Sequence, residues 1–205
     1  MYICTFKYTP EDVDCQLCML YRHQRCTAEA GCPYLAERIE ASVADYAEVI
    51  RDTFKAPSFI LAARLRQLLN SYCGPGWEDE QHYRRFGRML AEMGYGKGRN
   101  TPRFYAALFL LTANESIWRR AYNCFGRRGI EFQYFRYHGI SIGDYALAMA
   151  ARSIACGTDN FTLSDLEDRE AVDDSTFRLV VSAVLIARYG MDVLKIGSES
   201  GAAYA

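Results

Sequence analysis

The chain has 205 residues, half of them apolar and 14% aromatic, enough to bury a sizeable core in one domain or in a small module fused to a larger one. Its net charge of −1 argues against a globally basic nucleic-acid binder and equally against a strongly acidic chain. No stretch approaches the roughly 20 consecutive apolar residues of a transmembrane helix, so the expectation is a cytoplasmic protein without a membrane partner.

First in chain order come four cysteines, Cys15, Cys18, Cys26 and Cys32, spaced C-x2-C-x7-C-x5-C. Zinc takes four soft or borderline ligands in a tetrahedron, and two cysteines two residues apart reach one ion across a tight turn. The segment around them has too few large aliphatic side chains for a core of its own. A metal would supply the cohesion; in zinc-finger peptides, binding contributes about 10–16 kcal/mol of apparent folding free energy. We therefore expect residues 1–34 to form a module around a structural Zn2+ held by these four thiolates. Catalytic zinc is disfavoured, because four thiolates leave no coordination position for water. Unligated or redox-active thiols and disulfides are the competing readings. Disulfides need an oxidising compartment, whereas Met1 to Lys7 shows no charged leader, long apolar run or small-residue cleavage site. His23, between Cys18 and Cys26, is an alternative ligand, and Cys4 is a further candidate. Cys73, Cys124 and Cys156 lie in helical patterns and read as small buried hydrophobes.

Helical periodicity dominates thereafter and predicts a mainly α, multi-helix domain over residues 35–196. Pro33 suits a first helical turn, and Leu35, Ile39, Val43, Tyr46 and Ile50 follow at steps of three and four. They predict one helix that runs to about Phe54 and stops before Pro57. Leu61, Leu65, Leu68 and Tyr72 mark a second helix, ended by Gly74-Pro75-Gly76. A third spans roughly residues 77–93, with Glu78, Asp79 and Glu80 complementing the dipole at its start. Gly94 to Asn100 is a loop. Pro102 then opens a run, Phe104 to Leu111, too apolar to be amphipathic and so buried on most sides. Asn114 and Glu115 lead to a helix holding Trp118, Tyr122 and Phe125. Residues 126–139 read as either a short strand or an extended aromatic loop. Ser141 caps a helix from about Ile142 to Cys156, stopped by Gly157. Thr162 to Glu170 forms a short helical turn, and Asp174 or Ser175 caps a nearly all-apolar helix closed by Gly190. Residues 197–205 read as a disordered tail.

Charge is segregated along the chain. Residues 81–140 carry 11 basic side chains against 3 acidic, while residues 1–80 carry 8 against 12 and residues 141–205 carry 5 against 10. Twenty of the 24 basic residues are arginine, whose planar fork pairs with phosphate or carboxylate and stacks on rings. Arg84, Arg85, Arg88, Lys97, Arg99, Arg103, Arg119, Arg120, Arg127 and Arg128 are interleaved with Tyr83, Tyr95, Tyr105, Trp118 and Tyr122. This composition suits a protein interface or a phosphate-binding surface; internal pairing with the acidic flanks is the alternative. These ten residues are the candidate partner-binding set.

Catalytic signatures are missing from the sequence. His23, His82 and His138 have no metalloprotease spacing. The Gly94-x-Gly96-x-Gly98 run lacks the preceding strand that a phosphate loop needs. The acidic run from Asp165 to Asp174 fits neither a calcium loop nor a carboxylate pair and reads as a solvated face. A non-enzymatic protein is expected.

Three groups of residues carry a resemblance. The first is Cys15-Gln16-Leu17-Cys18 with Cys26 and Cys32-Pro33-Tyr34-Leu35. The second is Thr101 to Ala113 with Trp118-Arg119-Arg120, Gly139-Ile140-Ser141 and Asp144-Tyr145-Ala146. The third is Asp173 to Leu179 with Ile186-Ala187-Arg188-Tyr189-Gly190. Together they resemble cysteine-rich, zinc-binding proteins carried by phages and integrative elements of gut Firmicutes, a setting that includes anti-CRISPR inhibitors. The resemblance implies a binding protein whose partner is a host nuclease, most directly a type II RNA-guided nuclease. It transfers the four cysteines as a zinc site and no inhibitory residue. A DNA- or RNA-binding accessory protein of a mobile element is the alternative.

Overall fold

The computed structural model describes residues 6–29 and 31–197, and it is mainly helical. Among the described residues the helices are α1 (Leu35–Glu40), α2 (Tyr46–Thr53), α3 (Phe59–Ser71), α4 (Glu80–Met93), α5 (Pro102–Leu111), α6 (Glu115–Ala121), α7 (Ile142–Cys156) and α8 (Asp174–Tyr189). Two small antiparallel hairpins accompany them, β1 (Tyr21–Arg22) with β2 (Arg25–Cys26) and β3 (Phe125–Gly126) with β4 (Gly129–Ile130).

Local chemistry sets most helix starts. Asp45, Ser58, Asp79, Thr101, Asn114, Ser141 and Asp173 each accept the backbone N–H three residues on, opening α2 to α8 in turn. Such a cap contributes about 1 kcal/mol. Ser141 and Gly157 bound α7 as the sequence predicts, with Gly157 in the left-handed region at φ 66°. The cap of α8 is Asp173, one residue before the predicted pair.

α5 is the centre of the molecule. It packs against α7 and α8, which also pack on each other. Residues Ala106 to Leu111 expose no surface, and Val181, Ala183, Leu185 and Ile186 of α8 are equally buried. Ala106, Ala107, Ala148 and Ala151 are small and fully buried, which lets helix axes come close. The backbone at Ile196 lies directly against that at Gly74: a Cβ at Gly74 would overlap the Ile196 carbonyl.

Several buried polar side chains bond to backbone groups, while Tyr46 Oη, Arg64 Nε, Trp118 Nε1, Tyr137 Oη and Arg178 Nε are buried without a hydrogen-bond partner. His82 exposes no surface; its Nδ1 accepts from the Glu78 N–H at 3.1 Å, so Nε2 carries the proton and donates to the Phe109 carbonyl at 2.7 Å. Burial drives its pKa down to about 3, outweighing the bond to Phe109. His82 is therefore a neutral structural histidine. Arg64 donates to the Leu166 and Val172 carbonyls at 2.6 and 2.7 Å and lies over the Phe177 ring at 4.2 Å, anchoring the acidic turn to α3.

Four expectations change. The helix expected to hold Trp118, Tyr122 and Phe125 stops at Ala121, with Tyr122 opening a 3-10 turn and Phe125 lying on β3. The helix predicted from Pro33 to Phe54 is two helices. Its first part ends where the Val43 N–H bonds the Arg38 carbonyl and the Ser42 N–H bonds the Ile39 carbonyl, with Ser42 at φ 60°. That is a Schellman stop with serine in the position usually given to glycine, and Asp45 then restarts the chain. Residues 126–139 resolve into the β3–β4 hairpin, a 3-10 turn at Phe132–Tyr134 and a loop. Cys73 and Cys156 are exposed, one beyond the end of α3 and the other closing α7; Cys124 alone of the three is buried. Of the predicted tail, Gly197 is described and residues 198–205 lie outside the described residues, as does Cys4.

Candidate metal centre and basic edge

Three local devices deliver the four cysteines. Cys15 and Cys18 sit on a 3-10 turn: the Asp14 carboxylate accepts the Gln16 N–H at 2.9 Å, and the Cys18 N–H bonds the Cys15 carbonyl at 3.0 Å. Cys26 is on β2, opposite Tyr21, because His23 and Gln24 both take positive φ (51° and 61°) and reverse the chain in two residues. The hairpin base is closed by Thr27, whose N–H and hydroxyl both bond the Leu20 carbonyl at 2.8 Å. Cys32 precedes α1, its carbonyl accepting from the Leu35 N–H at 3.3 Å.

These devices converge. All four cysteines line one cavity of about 450 Å³, together with Tyr8, Tyr21, Tyr34, Glu37, Arg38 and Glu48. All four are free thiols in this structure. As placed, no group of three or more His, Cys, Asp or Glu side chains among the described residues is drawn tightly enough to hold a metal ion. The thiols share the cavity without closing on one point. His23 does not line it, since the hairpin turn holds that side chain at its tip.

A cation nonetheless suits the chemistry of this cavity. Its donors are four thiols, the set zinc prefers in closed structural sites. In addition the Glu37 Oε2 is buried without a hydrogen-bond partner on the same cavity wall. Glu37 and Arg38 were not singled out in the sequence. The available signal was their position, five and six residues after Cys32 in a helix that starts beside it.

The ten basic candidates separate into two groups. Arg85, Arg99 and Arg120 serve the fold. Arg85 is buried and donates to the Thr112 and Ala113 carbonyls at 2.7 Å each, terminating α5 with a positive charge. Arg99 is buried and donates to the Met93 and Gly94 carbonyls at the end of α4 and to the Arg127 carbonyl. Arg120 holds the loop before α7 through the Arg136, His138 and Gly139 carbonyls. The remaining seven are exposed. Arg84, Arg88 and Arg119 pair within their own helices with Glu80, Glu92 and Glu115, and Arg103 lies beside Gly157 at the end of α7. Lys97, Arg127 and Arg128 make no ion pair among the described residues.

Arg99 thus clamps the 94–99 loop to the β3–β4 turn, placing Lys97 and the Arg127-Arg128 pair on two linked loops. Tyr95, on the first of them, is 81% exposed. Arg88 stacks over Trp118 at 5.6 Å and Glu92 accepts from the Tyr122 hydroxyl at 3.3 Å, so α4 and α6 continue this edge. The acidic run is partly local capping: Asp165 accepts from the Thr162 N–H and hydroxyl, and Asp168 from the Glu170 N–H.

No helix among the described residues is long and apolar enough to cross a membrane. Comparison of the chain with protein-family models, with curated proteins and with solved structures returned no match.

Proposed function

We propose that this chain acts by binding a macromolecule, with a structural zinc closing its N-terminal module. The zinc would be held by Cys15, Cys18, Cys26 and Cys32 and would contribute folding free energy. The observation that supports a binding role is the basic edge: three cations without ion-pair partners, on loops fixed to each other by a buried guanidinium, beside an exposed tyrosine. Arg, Lys and Tyr in such a setting anchor interfaces.

The specific reading, which rests on the resemblance, is a mobile-element inhibitor of a type II CRISPR RNA-guided nuclease. Blockade would be steric or electrostatic, the basic edge meeting an acidic surface of the nuclease or the acidic turn entering its basic groove. A titration of the purified protein into a target-DNA cleavage reaction tests it. Stoichiometric loss of cleavage, relieved by the triple charge reversal K97E/R127E/R128E, is expected. Full cleavage at molar excess, with no complex on size exclusion, overturns it.

The same unpaired cations and Tyr95 favour a second reading, phosphate and base binding to DNA or RNA. Retardation of nucleic acid at low salt, without any nuclease, is then expected. Each of the three cations removed should lower the slope of log affinity against log salt by about 1. Absence of retardation at low salt ends this reading.

A further inference from the structure

Independently of the zinc and basic-edge readings, we propose that the cavity where α6, α7 and α8 begin binds an aliphatic primary ammonium group, carried by a small free amine or by a lysyl side chain. The cavity has a volume of about 330 Å³, at the lower end of the range of small-ligand pockets, roughly 300–1,000 Å³. Asp144, Thr176, Leu147 and Leu179 form its buried floor, and Glu78 and Asp173 stand at its exposed rim. Asp144 is 7% exposed and Thr176 5%. The Thr176 hydroxyl has no hydrogen-bond partner among the described residues, although the backbone N–H of Thr176 bonds the Asp173 carboxylate at 2.8 Å. Asp144 uses one carboxylate oxygen, which accepts from Asn114 Nδ2 at 2.7 Å; its other oxygen has no partner among the described residues. Neither free oxygen is sealed off, and both residues line the cavity. Oxygens of such buried side chains normally have partners, and a ligand with N–H donors supplies them.

Two local features keep this space and its acceptors available. Gly143, in the first turn of α7, does not adopt positive φ, so backbone freedom is not its reason. A Cβ there would lie 3.2 Å from the Thr176 hydroxyl and crowd it. Asp144 stands three residues after the Ser141 cap, a position from which an acidic side chain commonly reaches back to the cap N–H. Here it turns across to Asn114 of the neighbouring helix instead. Charge selects the ligand. Glu78, Asp144 and Asp173 bring three carboxylates, and among the described residues no cationic side chain lines the cavity. Three helix starts would by themselves favour an anion. Their caps Asn114, Ser141 and Asp173 already take a first-turn N–H each, and an anion would enter against the carboxylates. A divalent cation of the oxygen-binding kind takes about six to eight ligands. Glu78 is committed to the Ser175 hydroxyl at 2.9 Å and lies 3.8 Å from Arg178, and Asp173 is committed to its cap, so too few oxygens remain. An ammonium group has three N–H donors for separated acceptors, and its alkyl chain lies on Leu147 and Leu179.

Titration of the full chain with n-butylammonium at constant ionic strength tests this, read by the backbone amide resonances of Gly143, Asp144 and Thr176. These should shift saturably with n-butylammonium and stay in place with n-butanol or butyrate. Asp144→Asn should weaken binding about 10-fold or more, since a charge-assisted bond is lost. Thr176→Val should weaken it about 2–10-fold, and Gly143→Ala should weaken it with the helical circular dichroism retained. Glu170→Gln removes the same charge from outside the cavity and should bind as wild type does. Nα-acetyl-lysine methylamide is the second probe. Tighter binding than n-butylammonium assigns the group to a lysyl side chain of a partner and weaker binding to a free amine, and either result supports the site. No shift with n-butylammonium or with the lysine amide overturns the proposal. Equal affinity in wild type and Asp144→Asn overturns it as well, as do shifts caused by butyrate or Mg2+ in place of the ammonium probes.

Discussion

Ser42→Gly is an informative substitution because two accounts of residues 35–53 predict opposite signs. In the structure Ser42 is solvent-exposed, carries no side-chain hydrogen bond and holds φ 60° at the Schellman stop of α1. A left-handed conformation costs an L-residue about 1–2 kcal/mol. Glycine removes that strain but loses more backbone freedom on folding, about 0.5–1 kcal/mol. The net expectation is a stabilisation of about 0.5–1 kcal/mol. For a chain of this size that corresponds to a rise in melting temperature of about 1–4 °C. Were residues 33–54 one continuous helix, the same change would place glycine in a helix interior and cost about 0.5 kcal/mol instead. Urea unfolding at unchanged m-value reads the sign directly. A lower midpoint for Ser42→Gly would refute the two-helix account.

Other predictions follow from neighbouring contacts. Arg84→Ala should change stability by less than about 0.5 kcal/mol, since its partner Glu80 is an exposed i,i+4 pair. Arg85→Ala, next to it, should cost about 2–4 kcal/mol in denaturant unfolding, because the Thr112 and Ala113 carbonyls lose their donors; equal costs would contradict the division of the basic set. His82 titrates in the unfolded chain near its ordinary value but in the fold only near pH 3. Between those values the unfolded state binds a proton that the native state does not, so stability from this residue is complete above about pH 6.5 and falls by up to about 1.4 kcal/mol per unit below it. A His82 imidazole resonance, assigned by its loss in His82→Gln, that moves to its charged position near pH 6 in the native protein would contradict the burial of His82. Gln24→Gly, at a turn position with φ 61°, should stabilise the hairpin that carries Cys26; zinc affinity unchanged or improved is expected, and a loss would show that the turn is otherwise shaped.

Much of the helical body was legible because its signals are local. Asp79, Asn114, Ser141 and Gly157 act on backbone groups within a few residues, and the run from Phe104 to Leu111 is apolar on every side. The cysteine spacing likewise named the residues that share the cavity. What failed to show was chemistry in atypical residues or at long range. Ser42 does the work of a glycine, and His23-Gln24 does that of Asn-Gly, so neither stop nor turn was visible. Arg85, Arg99 and Arg120 look like Arg84, Arg88 and Arg119 in sequence. They differ because carbonyls from remote segments, at Thr112, Arg127 and Gly139, converge on them. Arginine content alone cannot separate a clamp from a docking surface. Cys73 and Cys156 fit helical periodicity but fall at helix ends, where periodicity no longer implies burial.

The measurement that bears most directly on the account is metal content by elemental mass spectrometry on untagged protein, paired with a thiol count before and after chelation. One zinc per chain is expected, with Cys15, Cys18, Cys26 and Cys32 becoming reactive only once the metal is removed. A metal-free protein whose four cavity thiols react at once, or are joined as disulfides, would contradict the zinc-closed module.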